Sequence, residues 1–157
     1  MRNFVLLFFA FLPLLFAVTG CSTVSKQTPP EKEDTITLLF AGDVMAHKPN
    51  FNMRGYNKIW ESISGTVQSA DLAFANIEAP VSKDLPYSSF PNFNMHPEYP
   101  EAAVSAGFNV FSLVNNHTND QGLEGMRATA KWAETVHTQT QNAENGRTVY
   151  FSGLKKS

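Results

Sequence analysis

Three short apolar runs in this 157-residue chain each end on side chains that can ligate a metal. Residues 35–41 lead into Gly42, Asp43 and His47, residues 72–75 into Asn76 and Glu78, and residues 110–114 into Asn115, Asn116 and His117. In an open α/β sheet the carboxyl ends of parallel strands share one crevice, so ligands far apart in sequence can meet there around a single ion or ion pair. The recurrence predicts a parallel sheet with a hydrolytic metal site at its strand ends.

The pattern between these runs supports the same class, because short β-rich runs alternate with longer amphipathic segments. After a loop through Pro49 and Gly55, the apolar positions Tyr56, Ile59, Trp60, Ile63 and Val67 fall at helical spacing. Residues 71–76 read as the second strand. A loop with Pro80, Pro86, Pro91, Pro97 and Pro100 follows, too proline-broken for regular structure. Its Tyr87, Phe90, Phe93 and Tyr99 make it too aromatic for disorder, so it is expected to pack over the site as a lid or rim. Residues 98–106 form a predicted helix that Gly107 ends in the left-handed conformation. Residues 109–114 are the third strand. Leu123, Met126, Ala130, Ala133 and Val136 mark one helical face beyond it, with Asp120 a candidate cap. A polar connector over 139–147 leads to a fourth strand over 148–152.

Mixed carboxylate, imidazole and amide donors without thiolate fit manganese, iron, zinc or magnesium. Asp43 and His47 stand four residues apart after the first strand, Glu78 adds a carboxylate and Asn116 an amide oxygen. His117 is either a further ligand or the acid that protonates a leaving group. Two ions could generate hydroxide and clamp a phosphoryl or similar oxyanion during in-line attack. Each residue also has a plainer role. Asp43 suits a turn, Asn115 and Asn116 suit loop positions, Glu78 suits a solvated loop, and backbone carbonyls can satisfy His47 and His117. Their co-occurrence at three successive strand ends favours the site. His96 and His137 are expected to be structural or exposed, and Trp60 and Trp132, on helical segments, to serve packing.

A formal net charge of −2 leaves no basic footprint for nucleic acid. The amino terminus has a secretory layout, with Arg2, an apolar stretch over 4–18 broken by Pro13, then Thr19, Gly20 and Cys21. The stretch is shorter than the roughly 20 residues a spanning helix needs. Val18, Thr19, Gly20 and Cys21 resemble the bacterial lipobox, which implies cleavage before Cys21 and acylation of that residue. Several acyl chains, at about 0.8 kcal/mol per buried methylene, hold a protein firmly to a bilayer. Cys21 is also the only cysteine, so the exported core holds without an internal disulfide. The expected organisation is a lipoprotein signal over 1–20, lipidated Cys21 and a polar tether over 21–34, and a folded domain over 35–157. The protein is then exported and anchored at the extracytoplasmic face of a bacterial cell membrane or outer membrane.

Three blocks, LLFAGDVMAH at 38–47, DLAFANIEAPV at 71–81 and AGFNVFSLVNNHTNDQG at 106–122, resemble in sequence and order the poly-gamma-glutamate capsule synthesis (CapA) family. FNMHP at 93–97 is similar to that family's approach to its third block. The family is similar to the calcineurin-like metallophosphoesterases, which implies an α/β/β/α sandwich, mainly of parallel strands, with a dinuclear metal site. By that resemblance Asp43 and His47 match the first metal motif, Asn76 and Glu78 the second, and Asn116 and His117 the third, with Asp120 following. The resemblance implies metal ligation by Asp43, His47, Glu78 and Asn116, acid catalysis by His117, and support from Asn76, Asn115 and Asp120. It also implies one or two divalent ions and a role in making or exporting an anionic polymer, on that polymer or a phosphorylated substrate.

Family members continue with further histidine motifs, so the expectation is an amino-terminal half of that fold. Two other readings compete with the enzyme. One is a non-catalytic lipoprotein fragment, and the other is a surface-binding module that uses Phe90 and Phe93.

Overall fold

The computed structural model describes residues 35–144 and 146–154. The predicted leader, Cys21 and the whole tether fall outside these residues. Four strands, β1 (Leu38–Val44), β2 (Leu72–Ile77), β3 (Val110–Ser112) and β4 (Tyr150–Ser152), pair in parallel in the order in which the chain makes them. The first crossover carries α1 (Lys48–Phe51), a 3-10 turn (Tyr56–Ile59) and α2 (Ser64–Ser69). The second carries α3 (Glu98–Ala106) and the third α4 (Gly122–Gln141).

Sequential strand order with right-handed crossovers sends every helix to the same side of the sheet. Burial follows that rule. Ala73, Ala75, Ile77 and Phe111 share one core with Val67, Tyr99, Ala103, Trp132, Ala133 and Val136 from the helices. The alternate strand positions point the other way, where Leu38, Phe40 and Tyr150 are exposed. Phe40 is 70% exposed and, among the described residues, stacks only on Phe74, with ring centroids 4.6 Å apart. One helix layer on one sheet is half of the α/β/β/α arrangement that the family resemblance implies. Among the described residues, no helix is long and apolar enough to cross a membrane.

β1 does not occupy the predicted residues 35–41; it starts and ends three residues later, carrying Asp43 inside the strand. Its ladder with β2 pairs Phe40 with Phe74 and then Asp43 with Asn76, so one extra residue of β1 bulges between them. Strict alternation would send Asp43 to the helix side. The bulge returns it to the open face beside Asn76 and turns Val44 inward, where it is buried.

Two other expectations are corrected. The single helix predicted from Tyr56 to Val67 breaks into the 3-10 turn and short α2, with turn residues over 60–63 between them. The buried stripe of α4 is Gly125, Thr129, Trp132, Ala133 and Val136, while Leu123 is exposed. Close packing explains the rotation. A Cβ on Gly125 would lie 3.2 Å from Pro80, and Thr129 Oγ1 accepts the Val81 N–H at 2.8 Å. α3 matches its predicted bounds, and Gly107 ends it at φ 113°.

The amino ends of β2 and β3 are fastened by polar groups. Buried Asn109 accepts the Ala73 N–H at 2.7 Å and donates to the Asp71 carbonyl at 3.3 Å. The Arg147 guanidinium donates to the carbonyls of Ala70, Asp71 and Gly107. A connector from α4 to β4 thus satisfies backbone acceptors on two other crossovers.

Candidate metal centre at the strand ends

The carboxyl ends of β1, β2 and β3 are joined by side-chain amides. Asn76 Nδ2 donates to Asp43 Oδ1 at 2.9 Å and to Glu78 Oε2 at 3.0 Å. Asn115 Nδ2 donates to Asn76 Oδ1 at 3.2 Å and to the Ile77 carbonyl at 2.8 Å. Asn115 Oδ1 accepts the His117 N–H at 3.0 Å, closing the turn that carries the histidine. Asn115 and Asn76 therefore connect the three ends, and Asn116 is exposed and makes no side-chain hydrogen bond to a described residue.

Partial burial raises the Glu78 carboxyl above its ordinary range, and the neighbouring Asp43 pushes in the same direction through a shared hydrogen bond and its charge. His117 and the Asn76 amide offset part of this. Among the described residues, neither carboxylate forms an ion pair with lysine or arginine. Two adjacent carboxylates held by an amide and lacking a basic partner suit a divalent cation, and Asn76 leaves their outer lone pairs free. Among the described residues no three His, Cys, Asp or Glu side chains gather closely enough to form a complete ion cage. The donor set fits part of a metal site.

The two histidines pack against one phenyl ring. His47, at the amino end of α1, meets Phe93 edge-on with centroids 5.1 Å apart, and His117 meets the same ring at 4.7 Å. Phe93 is 1% exposed, so its ring is not available as a surface contact. His47 Nδ1 lies 3.4 Å from Ser89 Oγ. His117 Nδ1 lies 2.8 Å from Asp120 Oδ2, which also accepts the Phe93 N–H at 2.7 Å. Asp120 is therefore not the predicted helix cap: α4 begins after Gln121, without a side-chain cap bond.

The proline-rich loop packs over the strand ends as the sequence predicts. Tyr87 stacks between Phe51, at 4.8 Å, and His96, at 4.0 Å, and its hydroxyl reaches Tyr56 Oη at 3.3 Å. Burial, aided by the Tyr56 hydroxyl, raises the Tyr87 phenol above its ordinary value, so it stays neutral. Asn94 Nδ2 donates to the carbonyls of Ser82, Leu85 and Pro86, holding the loop onto itself. Sequence reasoning missed the roles of Ser89 and Gln121, and of Phe93 as a shared packing partner of both histidines. Nothing in a single sequence shows which backbone or ring a loop side chain will reach. His96 and His137 are structural, bonded to the carbonyls of Leu85 and Val149.

Residues 37–144 match the family described as Bacterial capsule synthesis protein PGA_cap. Capsule biosynthesis protein CapA of Bacillus anthracis is 27% identical over 134 residues, covering 76% of this chain and 33% of that protein. A Sinorhizobium fredii protein named Uncharacterized protein y4sH is 27% identical over 119 residues, covering 71% of this chain and 25% of its own length. The chain spans a quarter to a third of the curated relatives it matches. The matched region runs from the start of β1 through the strand-end residues to the close of α4, and on that match the chain belongs to the bacterial capsule synthesis protein family.

Proposed function

We propose that this chain is an envelope-anchored capsule-synthesis lipoprotein whose strand ends form the amino-terminal share of a metallophosphoesterase-like metal site. The observation that carries the reading is the Asn76 amide clamped between Asp43 and Glu78, two carboxylates without a basic partner among the described residues. Asp43, Glu78, His47 and Asn116 would hold a divalent ion, manganese, iron, zinc or magnesium, with a second ion in the longer family proteins. When bound, such an ion would supply Lewis-acid polarisation and an activated water.

The chain's own residues account for the rest. Asn76 and Asn115 hold the strand ends in register. Phe93 packs against both imidazoles and limits how each can turn. His117 would protonate a departing oxygen of a phosphorylated substrate or anionic polymer precursor. Cys21 would carry the lipid that keeps this chemistry at the membrane surface. Capsule-polymer synthesis or export is the process that family membership supports.

The test is manganese binding by the full chain in detergent, followed by calorimetry, with Asp43→Asn alongside. Saturable binding that Asp43→Asn weakens at least tenfold is expected; no difference between the two rejects the site. Labelled palmitate incorporation that Cys21→Ser abolishes is expected for the anchor.

A second reading, a surface-binding lipoprotein, draws on Phe90, which is 75% exposed on the loop over the site. Binding of an anionic polymer that survives Asp43→Asn and is lost in Phe90→Ser would favour it.

A further inference from the structure

Resting on the assignment of His117 as the acid, the inference concerns what sets that imidazole's orientation. One oxygen, Asp120 Oδ2, lies 2.8 Å from His117 Nδ1 and 2.7 Å from the backbone nitrogen of Phe93. The His117 and Asp120 side chains are 16% and 11% exposed, so water competes weakly for either bond. The next residue, Gln121, donates through Nε2 to the Phe93 carbonyl at 3.0 Å. Consecutive residues just before α4 therefore hold both polar groups of Phe93. The ring of Phe93 in turn packs against His47 and His117.

A carboxylate is an acceptor, so the nitrogen facing it must carry a proton. The same Asp120 oxygen also accepts the Phe93 N–H, which fixes where the carboxylate sits. His117 is then held with hydrogen on Nδ1, and Nε2 is the nitrogen that must take up a second proton, the one an acid delivers to the leaving oxygen. An imidazole in the other tautomer would place a lone pair against the carboxylate and lose a charge-assisted bond.

We propose that Asp120 is a positioning residue that fixes the His117 tautomer and, through the same oxygen, fastens the proline-rich loop at Phe93. Loop closure and imidazole orientation are then one event. Release of Phe93 frees one lone pair of Asp120 and removes the ring against which His117 packs, whereas Gln121 acts on the loop alone.

The test needs neither metal nor substrate. The full chain, labelled with nitrogen-15 at histidine and held in detergent above the imidazole titration range, is observed by long-range proton–nitrogen correlation. The His117 signals are identified by their loss in His117→Gln. The expected wild-type spectrum shows Nδ1 protonated, in roughly tenfold or greater excess, the bias of one ordinary charge-assisted hydrogen bond. In Asp120→Asn the amide can donate to Nδ1, and the excess should fall to about even or reverse, a change of roughly tenfold or more. Gln121→Ala should leave the tautomer as in wild type while raising amide exchange at Phe93.

A wild-type ring protonated on Nε2 would overturn the proposal whether or not the variants fold. So would an Asp120→Asn chain that retains both its circular dichroism and its Nδ1 tautomer. Failure of the metal-site reading would show separately, as absent manganese binding with the tautomer intact.

Discussion

Asp43 faces Asn76 across the β1 and β2 ladder because β1 carries one extra residue between Phe40 and Asp43. That bulge reverses which face Asp43 occupies and delivers its carboxylate to an amide 2.9 Å away. Asn76 then spans to Glu78 and accepts from Asn115, so one side chain ties three strand ends.

Asn76→Asp replaces the shared donor with a third acceptor. The variant should lose about 1–3 kcal/mol of stability at pH 7, the scale of leaving polar groups without their donor. Urea titration at pH 7 and at pH 4 checks this, because protonation of the carboxyls at the lower pH should recover part of the loss. Equal losses at the two pH values would show that carboxylate repulsion is not the cause.

Glu78 gives a pH dependence of definite sign. Its carboxyl is raised in the folded chain above the ordinary value of 4.5, chiefly by partial burial and secondarily by Asp43. The folded state therefore binds the proton more tightly than the unfolded state. This contribution to stability is complete below about pH 4.5 and is lost as pH rises through the folded value. Glu78→Gln should accordingly stabilise the ion-free chain at pH 7, by less than about 1 kcal/mol because solvent screens the site. Thermal melts with a chelator present check the sign; a lower midpoint for the variant at pH 7 would reverse the assignment.

The strands and their donors were legible because alternation of apolar runs with helical spacing survives folding. α3 also kept its bounds, since Gly107 is an unambiguous stop. The bulge in β1 was not legible, as Ala41 and Gly42 look like ordinary strand residues until the partner register is known. α4 misled for another reason. Leu123 and Met126 are more hydrophobic than Gly125 and Thr129, yet the smaller pair is buried because Pro80 and Val81 approach the helix there. The site showed the same division. Asp43, Glu78 and His117 declare their chemistry by type, whereas Asn115 and Asn116 differ only in which one folds back onto β2.

Asn109 tests how the sheet is fastened at its opposite end. Asn109→Leu keeps the volume but leaves the buried Ala73 N–H without its acceptor. A loss of about 2 kcal/mol is expected, within the range for one orphaned buried donor. Asn109→Asp keeps an acceptor for Ala73 and removes the donor to Asp71, a carbonyl that Arg147 also serves. At a pH where the new carboxyl is protonated it should cost less than the leucine. Hydrogen exchange at Ala73 checks both variants, with faster exchange in Asn109→Leu than in Asn109→Asp.

The helix-free face of the sheet gives the last prediction. Phe40, Phe74, Val110 and Tyr150 stand in one register row across all four strands, and both edge members of that row are more than half exposed. An apolar row of this kind binds hydrophobic dyes and favours self-association. Phe40→Thr puts a strand-favouring β-branched residue at this position and removes a ring whose ring contact is the 4.6 Å stack on Phe74. The expected cost is about 0.5–1.5 kcal/mol, the worth of one aromatic pair. Dye binding and light scattering should fall in parallel. If both stay at wild-type levels while stability drops by several kcal/mol, Phe40 belongs to a covered core, and the sheet in solution has a second layer on this face.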